Sequence, residues 1–216
     1  MKIALCFSGQ PRFITKCFPN IEKNILKPNG YPDIYVHTWY PEPWPKEYQI
    51  CDNSYGDLNG LEQIIKLYQP KSFIVNRPVI FDKILDTKHM YAQYQYITQS
   101  MFYSIEESLK LVTHPENYDY LVRIRFDIQF NEQIKFSDYD STKLNTKREF
   151  TGRMNDHFGF GNSGSLNGYR QAFTNIKEYV NKYDKLTPEE ILEYTYQKLK
   201  IPIQCHNWES YIERKE

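Results

Sequence analysis

Glycine is scarce, with nine residues in 216, and the apolar run that opens the chain is followed by neither G-x-G-x-x-G nor a Walker string. The two commonest signatures of a phosphate loop are therefore missing where an opening strand would carry them. Cysteine is as sparse. Cys6, Cys17, Cys51 and Cys205 are scattered without a C-x-x-C pair, which fits neither a disulfide scaffold nor a zinc site. Charge of one sign is lacking too: 27 basic residues balance 27 acidic ones. That removes any electrostatic case for a nucleic-acid or acidic-membrane partner. No apolar stretch approaches membrane-spanning length, and the N-terminus lacks a charged region followed by a long apolar segment and cleavage site. These absences predict a reduced, soluble, cytoplasmic protein with no transmembrane segment.

Aromatic side chains are abundant, at 16% of the chain, and 19 of them are tyrosines. An apolar ring with a polar tip suits half-buried positions, and a few such rings suit carbohydrate stacking. The length allows one sizeable core. Ile3-Ala4-Leu5-Cys6-Phe7 reads as a buried strand, with Cys6 a small core hydrophobe. Ser8-Gly9-Gln10-Pro11-Arg12 turns the chain into a helix from Phe13 to Ile25. Strand, glycine turn, helix is the opening of an α/β nucleotide-binding fold, and equally an ordinary strand–helix turn. Asp33 to Trp39 is a second strand, with His37 a structural residue. Pro41 to Asp57 is a proline-punctuated loop, Leu58 to Tyr68 a helix, and Ser72 to Val75 a third strand. Tyr91 to Val112 is helical, with Ile97, Met101, Phe102, Ile105, Leu109 and Val112 as its core stripe.

Tyr118 to Phe130 then reads as one long strand. From Arg123 it alternates, placing Arg123, Arg125 and Asp127 on one face and Ile124, Phe126 and Ile128 on the other. Guanidiniums and a carboxylate are costly on an inner strand, so that face must border a cleft or ligand, or the charges must pair at a strand end. An arginine pair suits phosphate oxygens; the carboxylate suits a divalent ion or a sugar hydroxyl. The order β-α-β-α-β-α-β up to here predicts a mainly parallel central sheet flanked by helices.

Residues 131–148 are polar and turn-rich. Arg153 to Ser165 is glycine-interrupted, a short strand or bulged turn, with Asn155, Asp156 and His157 either a chemical constellation or an Asx-type turn. A helix follows from Asn167 to Tyr179. Thr187-Pro188-Glu189-Glu190 is a helix start with Thr187 as N-cap and Glu190 closing a capping box, which leaves Glu189 for other work. Ile201 to Cys205 is a closing strand, and the tail from Glu209 is expected to fray.

Four segments in this order, Phe7 to Arg12, Asp33 to Trp39, Arg123-x-Arg125-x-Asp127 and Asn155 to Gly161, together with Pro188-Glu189 and Leu192, resemble a family. The chain is similar to the small glycosyltransferases of bacterial and large-virus surface-polysaccharide gene sets, which carry S-G-Q-x-R, H-T-W, R-x-R-x-D and N-D-x-F-x-x-G motifs. The resemblance implies a single-domain GT-A-like fold over residues 1–216, with a nucleotide-sugar-binding half (1–130) and an acceptor and catalytic half (131–216). It implies a nucleotide-sugar donor and a glycan or other hydroxyl acceptor. In that fold a D-x-D motif grips the donor diphosphate through a metal; here Arg125-Phe126-Asp127 stands in its place. Either Asp127 anchors Mg²⁺ or Mn²⁺, or the arginines replace the metal. Ser8, Gly9, Gln10, Arg12, Arg123, Arg125 and Asp127 are the expected donor-binding residues. Asp156 is the expected general base, with His157 orienting it or binding metal and Glu189 in reserve. Trp39 and Trp44 are candidate stacking platforms for the acceptor, with core packing the stronger expectation for Trp39. A sugar nucleotidyltransferase and a non-catalytic nucleotide- or carbohydrate-binding module are the alternatives.

Overall fold

The computed structural model describes residues 1–40, 58–86, 88–148 and 152–214. Trp44, Cys51 and the proline-punctuated loop lie outside them. The opening apolar run is strand β1 (Ile3–Gly9), and β2 (Asp33–Trp39), β3 (Ser72–Asn76) and β4 (Tyr120–Ile124) follow. They are linked by helices α1 (Ile14–Ile21), α2 (Leu58–Tyr68) and α3 (Gln95–Lys110). Two antiparallel strands, β6 (Leu144–Arg148) and β7 (Met154–Gly161), then α4 (Asn167–Tyr183), α5 (Pro188–Leu199) and β8 (Ile203–His206) complete the main layers. The sheet order is β3-β2-β1-β4-β7-β6-β8. β1 pairs in parallel with β2 and β4, and β7 runs antiparallel between β4 and β6. The result is a single α/β domain with a mostly parallel, seven-stranded mixed sheet. No described helix is long and apolar enough to cross a membrane.

Helices cover both faces, so the central strands are apolar on both sides rather than alternating. Ile3, Leu5 and Phe7 pack with Ile14, Cys17 and Ile21 of α1 and Ile64 and Tyr68 of α2. Ala4 and Cys6 pack on the opposite side with Phe102, Ile105 and Leu109 of α3 and the buried faces of α4 and α5. Cys6 is the core hydrophobe its sequence context suggests.

Several expectations need correction. The run from Tyr118 is not one strand: it leaves the sheet after Ile124, turns through Phe126 and Asp127, and restarts as β5 (Ile128–Phe130). β5 joins a separate two-stranded sheet with β9 (Ser210–Ile212), so the tail from Glu209 does not fray but pairs. The polar stretch 131–148 contains β6. Ile97 lies off the α3 core stripe, 37% exposed, while Phe102, Ile105, Leu109 and Val112 are buried. Thr187 makes no side-chain cap to α5. Glu190 instead accepts from Tyr179 Oη (2.7 Å) and pairs with Arg153 (2.8 Å).

The second residue of α4 shows how tightly the α4–α5 face is packed. A Cβ on Gly168 would stand 2.2 Å from the ring of Tyr196, which is fully buried. Alanine gains up to about 1 kcal/mol over glycine in a helix, but displacing a buried ring costs about 1–3 kcal/mol. The clash wins. Gly168→Ala should lower the urea midpoint by an equivalent of about 1–2 kcal/mol; an unchanged midpoint would mean that α4 and α5 separate freely there.

Candidate functional site

In an open parallel sheet, ligands bind beyond the carboxyl ends of the strands, where the strand order changes direction. Here that point lies between β1 and β4, because the chain winds outward to β2 and β3 before returning beside β1. Ser8 to Arg12 leaves one strand end and Arg125 to Asp127 leaves the other. Gly9 adopts φ +116°, which residues with a Cβ rarely enter, and no described residue stands within 4 Å of where a Cβ would be. Its backbone is pinned on both sides: the N–H donates to Ser104 Oγ (3.0 Å) and the carbonyl accepts from Thr38 Oγ1 (2.7 Å). Gln10 contributes its carbonyl to the turn, accepting the Arg12 N–H at 2.9 Å.

Arg12, Arg125 and Asp127 form one unit. Arg125 donates from Nε to Asp127 Oδ1 (2.7 Å) and from Nη2 to Oδ2 (2.8 Å). Arg12 places Nε and Nη2 each 2.8 Å from the same Oδ2. The carboxylate is 2% exposed. Burial opposes its charge, but the Arg125 and Arg12 guanidiniums outweigh that and hold the carboxyl well below the usual carboxylate range. Glu213, just past β9, donates its N–H to the Asp127 carbonyl (2.7 Å) and takes Lys16 of α1 on its carboxylate (2.7 Å). The turn carrying Asp127 is thus clamped from two further elements.

Arg123 points to the α3 and α4 side and is 1% exposed. Its Nη1 donates to the His157 carbonyl (2.6 Å), while Nε has no partner. Desolvation pulls its pKa down to about 10, so it stays cationic at neutral pH. Opposite it on β7 stands Gly159, where a Cβ would meet Tyr169 Oη at 2.9 Å. That missing side chain gives Tyr169 its place beside the sheet. Gly159-Phe160-Gly161-Asn162-Ser163-Gly164 does spell G-x-G-x-x-G between β7 and α4. It lies at the opposite sheet edge, however, and the protein's own Tyr169, Lys143 carbonyl and Ser165 take the space at Gly159 and Gly161.

β7 bulges beside this group. Between the pairs Thr146–Gly159 and Arg148–Met154 the chain takes two steps along β6 and five along β7. The extra residues hold Asp156 and His157. Asn155 Oδ1 accepts the N–H groups of His157 (2.8 Å) and Phe158 (3.1 Å), so the Asx-type turn is present. This fixes the amide so that Nδ2 faces His157 Nδ1 (3.3 Å), which leaves the imidazole proton on Nε2. His157 Nε2 lies 3.1 Å from Asp156 Oδ1, but off the hydrogen-bonding direction, and that oxygen has no hydrogen-bond partner. Burial, more than any neighbouring charge, lowers the His157 pKa and favours the neutral ring.

No protein-family model and no curated protein matches the chain.

Six of the expected residues are therefore in contact or electrostatic reach of one another. Arg12 bonds Asp127, Arg123 bonds the His157 backbone, and Arg125 and Asp156 sense each other's charge. Glu189 stands half-buried in the first turn of α5, a helix that packs against β7. Trp39 is 2% exposed and stacked on Tyr103 (5.7 Å between ring centres), a core position. His37 is buried and bonded to Ser104 Oγ (2.8 Å); burial pulls its pKa down to about 4. Asp127 does not fit a divalent cation: Oδ2 already takes three guanidinium contacts and Oδ1 a fourth. Among the described residues no three His, Cys, Asp or Glu gather as metal ligands.

Sequence reasoning missed Ser100, Ser104, Tyr169 and the half-buried Arg170. The serines had a signal: Ser100, Ser104 and Ser108 recur every four residues on the buried face of α3. Ser8 Oγ, His37 Nε2, Ser100 Oγ, Arg123 Nε and Asp156 Oδ1 are buried without hydrogen-bond partners. Such groups cost roughly 1–3 kcal/mol each and call for a water or a ligand.

Asp127→Asn would leave two guanidiniums sharing one poorly matched amide. Breaking a fully buried pair costs about 3–5 kcal/mol; with the arginine side chains 27% and 20% exposed, about 2–3 kcal/mol is expected at pH 7. Since the folded pKa lies below the unfolded value of about 3.9, the Asp127 contribution is complete above that pH. It drains away as acid approaches the depressed folded value. Chemical denaturation across pH 2–7 should show that acid-sensitive component in the wild type and not in Asp127→Asn. A variant as stable as wild type at pH 7 would remove the triad from the account.

Proposed function

We propose that the chain is a glycosyltransferase that moves a sugar from a nucleotide-sugar donor to a hydroxyl of a glycan or other acceptor, on a GT-A-like fold. One observation carries this reading: the loops after β1 and β4 converge at the switch point with an open glycine backbone and a cluster of guanidiniums. Arg12 pairs with Asp127, and Arg123 and Arg125 feel the charges of Asp127 and Asp156. Guanidiniums gathered in this way suit a diphosphate, and Ser8, Gly9 and Gln10 line the approach to it. Transfer leaves a nucleoside diphosphate bearing new negative charge. Guanidiniums already fixed by Asp127 stabilise that charge without reorganising.

Asp156 is the general base that takes the acceptor hydroxyl proton. Its Oδ1, lacking a hydrogen-bond partner, is the acceptor available for that proton. His157, neutral and carrying its proton on Nε2, orients the carboxylate by contact at 3.1 Å. Glu189 is the reserve base.

A thermal-shift panel of UDP, GDP, CDP, ADP and dTDP should single out one base. At a hundredfold excess over Kd the stabilisation is about 2.7 kcal/mol, or roughly 5–10 °C for a domain of this size. With the matching sugar nucleotides, Asp156→Asn should lower turnover by about 10²–10⁴-fold while leaving the thermal shift in place. Release of pyrophosphate would instead indicate a nucleotidyltransferase. A shift with no turnover in wild type would indicate a binding module, and no shift with any nucleotide would end the reading.

A further inference from the structure

Resting on that reading of the site, we infer that the donor diphosphate is held without a divalent cation. Arg12 and Arg125 take the metal's electrostatic role, and Asp127 is the buried carboxylate that locks them side by side. The usual arrangement inverts: the acid serves the cations of the protein rather than a cation brought in from solution.

Three observations point this way. The first is saturation. Asp127 Oδ2 receives Arg12 Nε, Arg12 Nη2 and Arg125 Nη2, each at 2.8 Å, and Oδ1 receives Arg125 Nε at 2.7 Å. A divalent ion sits about 2.0–2.6 Å from a carboxylate oxygen. At Oδ2 it would have to displace two guanidiniums, at Oδ1 it would meet Arg125, and at either oxygen it would stand against their charge. The second is permanence. Burial alone would lower the Arg125 pKa, but Asp127 more than offsets it and raises it, so the guanidinium is charged at neutral pH. The third is rigidity. The Asp127 carbonyl is tied to the Glu213 N–H, and Glu213 in turn holds Lys16 and Gln129. The triad is therefore anchored to α1, β5 and the end of β9. Cations fixed in this way recognise a diphosphate with little loss of freedom on binding, and a planar fork matches phosphate oxygens two at a time.

The test is calorimetry on the full chain after EDTA treatment. UDP, GDP, CDP, ADP, dTDP and inorganic pyrophosphate are titrated in EDTA and again with millimolar MnCl₂ replacing it. At least one nucleoside diphosphate should bind in EDTA, with a Kd within about threefold of that in Mn²⁺. Arg125→Ala should weaken binding in EDTA by about tenfold or more, the worth of one or two charge-assisted hydrogen bonds. Arg125→Lys, which keeps the charge but not the fork, should fall between. Circular dichroism melts show whether either variant has lost its fold, and the wild-type comparison decides the matter without them. Binding that appears only with Mn²⁺ would overturn the inference while leaving a nucleotide site in place. Absence of binding by every probe in both buffers would instead remove the nucleotide-site reading beneath it.

Discussion

The carboxylate of Asp127, held between Arg12 and Arg125, is the contact on which the rest of this structure turns. It joins the loop after β1 to the turn after β4, two segments more than a hundred residues apart in sequence. Without it, the guanidiniums of Arg12 and Arg125 would lose the carboxylate that both contact. With it, two are neutralised in part and aimed together. An ion pair this deep is weak evidence for stability, since well-packed apolar residues often do as well. Its value lies in the geometry that it imposes on charges which would otherwise repel.

The two faces of the sheet divide the work. Beneath α1 and α2 the core is aromatic and dry: Phe7 stacks on Phe126 (5.1 Å between centres), and Tyr68 meets both edge-on. Phe126 is the residue that turns the chain between Arg125 and Asp127, so the apolar core holds the very turn that presents the charges. The other face is mixed. Its centre, around Cys6 and Leu121, is apolar, but towards the carboxyl edge it carries Ser8, His37, Ser100, Ser104, Arg123 and Asp156, all buried. A sheet selected for stability alone would fill those positions with aliphatic side chains.

Much of the winding was legible because each early element follows a single rule. β1 and β2 are short apolar runs bounded by turn residues, and the apolar spacing of α2 matches its observed bounds, Leu58–Tyr68. β6 escaped because two of its three buried residues are polar. Asn145 and Thr146 are fully buried yet satisfied, through Asp140, His206 and the Phe158 carbonyl. Hydropathy cannot reveal a strand of that kind. β9 escaped for another reason: three residues in a charged tail become a strand only when β5, some eighty positions earlier, is there to pair. At the site, the residue types pointed to a charged group where β4 ends, although the strand alternation that suggested it stops at Ile124. What they could not convey was pairing. A carboxylate two residues from an arginine reads equally as a metal ligand or an ion-pair partner, and Arg12, far away in sequence, tips the balance.

The two aspartates at this edge show how surroundings rather than chemistry assign a role. Asp127 has both oxygens in contact with guanidiniums, three contacts on Oδ2 and one on Oδ1, so a proton or a metal ion reaches it only beside fixed positive charge. Asp156 is as deeply buried, at 3% exposed against 2%, but sits on a bulge whose backbone bonds go to Asn155 and Thr146. Its Oδ1 is left with an imidazole that touches it off-axis. The bulge explains the difference: a regular strand would have placed this side chain in line with its neighbours, against Arg123 or into the phenylalanine layer. Three additional residues in β7 lift it out of both. The short strand or bulged turn that the glycine-interrupted sequence suggested is thus both: a strand whose bulge leaves Asp156 Oδ1 buried without a hydrogen-bond partner among the described residues.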